Sequence, residues 1–534
     1  MKLHNLSYTL FFFCFLTSAE PWIDTSNIYL RTSIQQLADA GHIKTPVTTF
    51  PLMWLDIGRD LKHIDYSTLN GSEKQAFDYI NHQYRMAKKN NKKLEFNTAT
   101  KDKRFTSFGE DFRDKNNIKV QASYMTDSFA VGLSSSYTFS PQDNDKTRLD
   151  GSYIAGFIGN WAFTLGKQDR WWGPGWDSNL SLTNNARPIP AIALSRRSAI
   201  PFGIPFTEIE IPWTVTSFMG VMDDNRVIDN TLLWGFRLNF KPLDGLEIGL
   251  TRLAQWGGKN RPKSFGTFVD LLLGKDNCGA EGLIDCGENY ENEPGNQQAG
   301  YDLRYSFSLL NTPIGLYGQY FAEDGDNSGS SLSFLTEPKI QIGVDTHLRI
   351  FSVPTTLYLE YTDSYADCSD TNSSSIGNCF YEHHIYQTGM RYQQRTLGNL
   401  YDNDATSVVL GFVSTISPNT NVTTKIRHLQ LNKDNNDKAP DNIIIGNPLT
   451  KIAEDMIMVS TKVQHSYKNW RYTLGLDLSN SKFDNDIADK NQANLFFKVE
   501  YNIDIKQGTD NIRAFYPKNV IEELPLYSKT NYSQ

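Results

Sequence analysis

Along most of this chain apolar and polar residues alternate one by one. In Thr231–Phe240 the even positions Leu232, Trp234, Phe236, Leu238 and Phe240 are apolar, with Arg237 and Asn239 between them. Tyr301–Leu309 sets Tyr301, Leu303, Tyr305, Phe307 and Leu309 against Asp302, Arg304, Ser306 and Ser308. Ile340–Ile350, Trp470–Leu478 and Leu495–Ile503 repeat the pattern, with Asp345, His347, Arg349, Arg471, Asp477, Lys498 and Glu500 on the polar side. A period of two is the signature of a strand with one greasy and one wet face. Each run has about the nine to eleven residues that a tilted strand needs to cross a hydrocarbon core. Aromatic residues gather toward the ends of the apolar face, where rings settle at a membrane interface. Lipid offers no water to an open sheet edge, so such a sheet must close on itself. The expectation is an all-β transmembrane barrel of about 18 antiparallel strands over residues 92–503, with short turns at one end and long loops at the other. Up-and-down parity fails near 168–230 and near 390–405, which predicts a hidden or misdrawn strand in each region.

Before residue 92 the period is different. Leu30, Ile34, Leu37 and Ala38 recur at helical spacing between a Ser26 cap and a Gly41 stop, and Phe77, Ile80, Tyr84 and Ala87 do so after Ser72. Between them Pro46 to Trp54 reads as extended chain. Residues 20–91 are thus expected to form a small α-helical subdomain. Residues 1–19 carry Lys2, the apolar run Tyr8–Leu16 and Thr17-Ser18-Ala19, which reads as a cleavable secretory signal. Residues 504–534 read as a C-terminal extension, and 168–212 as a long plug or loop.

Removal of residues 1–19 would leave 51 of the 52 Lys+Arg against 60 Asp+Glu, a net charge of −9. Nucleic-acid binding needs a concentrated basic face, so that partner is excluded. Past residue 19 no apolar run reaches 18 residues, and the mean hydropathy is −0.46, which excludes a membrane helix but not a barrel. Four of the five cysteines lie beyond the signal, in two local couples. In an exported protein they read as disulfides Cys278–Cys286 and Cys368–Cys379 closing surface loops, although four cysteines allow three connectivities.

Candidate chemistry concentrates in one stretch. Asp169-Arg170-Trp171-Trp172-Gly173-Pro174-Gly175-Trp176 is followed by Asn184, Arg187, Arg196 and Arg197. Tryptophan faces suit the C–H face of a sugar, and Arg, Asp and Asn suit its hydroxyls or an acidic group. The same composition suits a segment folded inward to pack the lumen, and both readings stand. Asp324–Gly329 imitates a calcium loop, but Leu335 occupies the position that needs a bidentate Glu. His383 and His384, adjacent in an extended chain, would face opposite ways. No nucleophile elbow, zinc-protease helix or phosphate loop stands in a convincing context, so no catalytic residue, metal or cofactor is expected.

The helical start from Leu30 to Gly41, Thr49-Phe50-Pro51-Leu52-Met53-Trp54, Asp169–Trp176, Trp256-Gly257-Gly258, Asp276-Asn277, Glu323-Asp324 and Arg395-Thr396-Leu397-Gly398 with Asp402-Asn403-Asp404 occur in order along the chain. Together they resemble the capsule assembly protein Wzi family, over roughly residues 22 to 480. That resemblance implies an eighteen-stranded barrel in the bacterial outer membrane, with helices at its periplasmic end and extracellular loops. It implies a non-enzymatic lectin that tethers capsular polysaccharide. Local chemistry makes Asp169, Arg170, Trp171, Trp172, Trp176, Asn184, Arg187, Arg196 and Arg197 the expected contacts to a capsular or exopolysaccharide, in a protein expected to be monomeric and surrounded by outer-membrane lipid. The alternative is a porin-like channel in which lumenal Arg237, Asp345, His347, Arg349 and Lys498 tune passage of small polar solutes.

Overall fold

The computed structural model describes residues 20–88, 92–273, 295–310, 312–323, 339–366, 380–383, 385–484 and 488–503. The expected signal at 1–19, the calcium-like loop, all four candidate disulfide cysteines, His384 and the expected 504–534 extension lie outside these residues. Among the described residues no helix is long and apolar enough to cross a membrane.

Nineteen paired segments close into one antiparallel barrel. Thr147–Arg148 and Tyr153–Ile158 both pair with Phe129–Thr138 and share one place in the wall, so the barrel has eighteen strands. Chain neighbours pair throughout, and Phe496↔Ala99 is one register pair that joins the last strand, Lys490–Asn502, to the first, Lys92–Ala99. The alternation read from sequence is what the wall displays. Ile342, Leu474 and Leu495 stand about half exposed on the outside, at 55%, 53% and 49%. Arg237, Asn239, Asp302 and Arg304 are sealed in the lumen. Burial of polar groups inside and exposure of apolar groups outside inverts a soluble protein and suits a lipid solvent. Trp161, Tyr467 and Trp470 stay exposed near the short-turn end, as expected of an interfacial girdle.

Two corrections concern parity. Within the segment expected to be all loop, 168–212, Pro190–Arg196 is a full wall strand, paired with Trp161–Lys167 and Trp213–Met222. Its inner Ala191 packs into an apolar cluster with Ile189 and Phe218, so both faces are apolar and the two-residue period vanishes. Near 390–405 there is no wall strand. A small hairpin, Arg391–Tyr392 with Arg395–Thr396, stands there instead. With these changes the long excursions 100–115, 139–152, 168–189, 223–230 and 432–453 leave one end, and two- or three-residue turns occupy the other except at 197–212.

The helices enter from the short-turn end. They are α1 (Ile28–Asp39), α2 (Trp54–His63) and α3 (Gly71–Ala87). The cap of α1 is Asn27, whose side chain accepts the Leu30 N–H at 3.1 Å, rather than Ser26. A capping box of Asn70 and Glu73 starts α3. The helix α2 begins at Trp54, the last residue of the stretch that reads as extended, and the sequence pattern does not announce it. Its Asp56 accepts the Ala199 N–H at 3.0 Å and the Ser198 hydroxyl at 2.8 Å, fastening it to the 197–212 loop.

Candidate functional site

The segment 168–189 turns down into the lumen, where irregular backbone is tolerated only if the wall satisfies it. Glu360 does this at one turn. Its carboxylate accepts the N–H of Trp176 at 2.7 Å and of Ser178 at 3.1 Å, with Tyr317 and Gln341 donating to it as well. The Trp176 indole donates to Asp345 at 2.7 Å and stacks on Tyr358 at 5.8 Å. Asp177 receives Lys425 at 2.8 Å, Arg427 at 2.7 Å and the Tyr401 hydroxyl. Burial alone would raise the Asp177 pKa, but Arg427 and Lys425 outweigh it and hold the carboxyl well below the usual range.

This plug meets the helical one at Arg31 of α1. The guanidinium lies 4.5 Å from the Trp176 ring, 4.6 Å from Phe108 and 5.5 Å from Trp171. It donates to the carbonyls of Pro174 at 2.9 Å and Gly175 at 2.7 Å. Burial lowers its pKa to about 10, still cationic at neutral pH. A short antiparallel pairing of Phe50 with Trp171 and Thr49 with Trp172 completes the joint. The lumen is thus closed from both ends.

The expected sugar contacts have different fates. Trp171, Trp172 and Trp176 are 0% exposed and offer no face to a ligand. Their rings take part in the inward packing that composition alone left open. Arg170 lies over Phe218 at 4.1 Å, and burial lowers its pKa to about 10. Asp169 receives Arg113 at 3.3 Å. Asn184 donates to the carbonyl of Glu110 at 2.8 Å. Arg187 is ringed by Asp143, Asp145 and Asp150 at 2.8–2.9 Å. Burial opposes its charge, but Asp150 and Asp143 raise its pKa further. Arg196 and Arg197 are not part of this group. Strand 190–196 carries them to the opposite end of the barrel, over Trp213 at 3.7 Å and Phe157 at 4.3 Å.

The lumenal charges of the channel reading are spent. Arg237 holds Asp302 at 2.6 Å, His347 meets Asp39 at 3.1 Å, and Lys498 meets Asp111 at 2.7 Å; Arg349 remains exposed. Asp39, Asp345 and His347 have the donor set of a metal site. The Arg304 guanidinium lies between the two carboxylates, at 2.7 and 2.6 Å, so a cation there would have to displace it. A cavity of about 860 Å³ remains beside α1 and α3, lined in part by Asp111, Lys119, Lys462 and Arg471.

What sequence reasoning missed is the outer mouth. The hairpin at 391–396 turns through Gln393 and Gln394, both with positive φ, 51° and 61°. The Tyr392 hydroxyl donates to Asp223, and the Gln393 N–H to Asp224 at 3.0 Å. Gln394, Asp223 and Asn225 are exposed beside one another along this rim. Two adjacent glutamines are a weak sequence signal, and only the pairing with residues 223–225 makes them a surface.

Comparison with known proteins agrees with this architecture. Wzi of Escherichia coli, described as an outer membrane protein involved in group 1 capsule assembly and a carbohydrate-binding β-barrel, superposes with a TM-score of 0.74 at 22% identity, covering 91% of this chain and all of that one. An uncharacterized 55.8 kDa protein in the cps region of Klebsiella pneumoniae is 27% identical over 298 residues, 55% of this chain. The match spans 57% of that relative's length. Residues 85–495 match the capsule assembly protein Wzi family, and the chain belongs to that family.

Proposed function

We propose that this protein sits in the outer membrane and holds capsular or exopolysaccharide at the cell surface without catalysis. The observation that carries the reading is the double closure of the lumen at Arg31, which makes the outer mouth a surface rather than a passage. The carbohydrate binding described for the Escherichia coli structure supports the same ligand class. On this reading Trp171, Trp172, Trp176 and Arg187 shape the plug from behind, and sugar hydroxyls meet Gln394, Asp223 and Asn225 at the rim. Each contact is weak, and repetition along a polymer converts weak contacts into retention. The experiment is a capsular-polysaccharide array probed with purified protein, beside surface polysaccharide measured on cells carrying Gln394→Ala with Asp223→Ala. Lost array signal and shed polymer are expected. Unchanged binding and unchanged polymer in the double variant would remove the rim from the mechanism. Planar-bilayer recording separates the channel alternative, because a doubly plugged barrel should be almost silent.

A further inference from the structure

A fourth helix, α4 (Phe265–Leu272), lies on the outside of the barrel. Its Phe268 packs on Trp234 at 5.7 Å and on Trp256 at 5.0 Å. Both tryptophans share the outward register that pairs Trp234 with Ala254 and Leu232 with Trp256. Leu271 of α4 is sealed against Ala254 and Trp256, while Phe265 is 81% exposed and the following Leu273 65%. An apolar helix with large exposed apolar groups on a lipid-facing wall is stable only where lipid covers it.

The wall grips its C-terminus. Arg252 holds an outward position, where a charge near the bilayer centre would be costly. Its guanidinium donates to the carbonyls of Leu271 at 2.8 Å and Leu272 at 2.7 Å, and its Nε to Gln297 at 2.7 Å. The helix end supplies partial negative charge and unpaired carbonyls, the arginine supplies the donors, and each removes the other's cost. Toward mid-membrane from this joint runs a groove of about 410 Å³ lined by Trp234, Phe236, Leu250, Arg252, Ala299 and Gly300. The small Ala299 and Gly300 leave room on its floor. The stacked pairs Trp234–Phe236 and Tyr301–Tyr320 stand on either side. The recess is shallow and open on a wall that faces lipid, which suits a hydrocarbon chain laid along it. Lys263, exposed just before α4, suits an anionic headgroup, while Lys259 is paired with Asp229 at 3.1 Å.

We propose that this groove holds one acyl chain of a phosphate-bearing lipid of the outer leaflet, with α4 lying in the headgroup layer above it. The test is native mass spectrometry of the full mature protein in mild detergent, titrated with dipalmitoyl phosphatidylglycerol or dipalmitoyl phosphatidylcholine. One retained phosphatidylglycerol per barrel is expected, bound more tightly than phosphatidylcholine. Ala299→Trp should lower retention roughly tenfold, and Lys263→Glu should abolish the preference for the anionic lipid. Leu250→Trp fills the same groove from the next strand and replaces Ala299→Trp if that barrel does not assemble. Val408→Trp, lipid-facing on another sector of the wall, should change nothing. No retained lipid in the wild type, or equal retention in every variant, would overturn the proposal and leave only ordinary annular lipid.

Discussion

Two plugs close one lumen, and they are built on opposite principles. The upper plug, 168–189, is irregular chain that borrows its hydrogen bonds from the wall, from Glu360, Asp345, Gln319 and Gln341. The lower plug is made of helices, which satisfy their own backbone and need only a few ties, such as Asp39 to Arg304 and Asp56 to Ala199. In consequence the upper plug leaves its three tryptophans no exposure, whereas the lower one leaves a cavity of about 860 Å³ at its side. Borrowed hydrogen bonds lock a segment in place; self-contained ones let it rest more loosely. Substitutions that cut the upper ties should therefore cost more than those that cut the lower ties.

The largest effect is expected at Asp177. Asp177→Ala leaves Lys425 and Arg427 buried without their anion, and stranding buried charge costs about 3–5 kcal/mol. The urea midpoint of the detergent-folded barrel should fall, and an unchanged midpoint would show that the upper plug is not what holds the interior together. Next comes Arg31→Met at the joint. It keeps an apolar stem under the rings but leaves the carbonyls of Pro174 and Gly175 without donors, worth about 1–3 kcal/mol. Both plugs should loosen together, read as faster hydrogen exchange in α1 and in 168–189. Loosening of one alone would mean they are independent bodies. Smaller still is Asp39→Asn, at about 1 kcal/mol, because Arg304 keeps Asp345 as its partner. Here only the helices should gain protease sensitivity.

The comparison also explains what was legible in sequence. Wall strands announce themselves because lipid and lumen impose opposite demands on neighbouring residues, as at Trp234, Phe236 and Leu238 against Arg237 and Asn239. Pro190–Arg196 escaped because the upper plug turns its inner face apolar, and α2 because the prolines before Trp54 read as extended chain. The Trp171–Trp176 stretch was recognisable as special, yet aromatic rings among Arg and Asp describe a sugar platform and a sealed plug equally well. Its direction is decided by partners far along the chain, by Glu360 for the turn at Trp176 and by Lys425 and Arg427 for Asp177. No local pattern encodes those pairings.

The most local expected effect lies at the outer margin of the upper closure, where the wall stops lending partners. Asp404 stands at the foot of the strand Ala405–Ser417 and accepts the Asp434 N–H at 3.0 Å. Burial pushes its pKa up to about 8 against that hydrogen bond, with the Asp434 carboxylate also raising it and Lys433 lowering it. A carboxyl raised in the folded state binds its proton more tightly there than in the opened loop, where it titrates near the ordinary value of about 4. Its stabilising contribution is therefore complete below about pH 4 and is lost as the pH climbs through 8. Hydrogen exchange in 432–453 should quicken between pH 5 and 8.5 beyond the intrinsic chemical rate, while 168–189 stays protected. Asp404→Asn, which still accepts the Asp434 N–H but carries no charge, should flatten that dependence. If the loop keeps its pH response in the Asn variant, the titrating group lies elsewhere, and if 168–189 loosens in step with the loop, the upper plug is not the locked body that its hydrogen bonds describe.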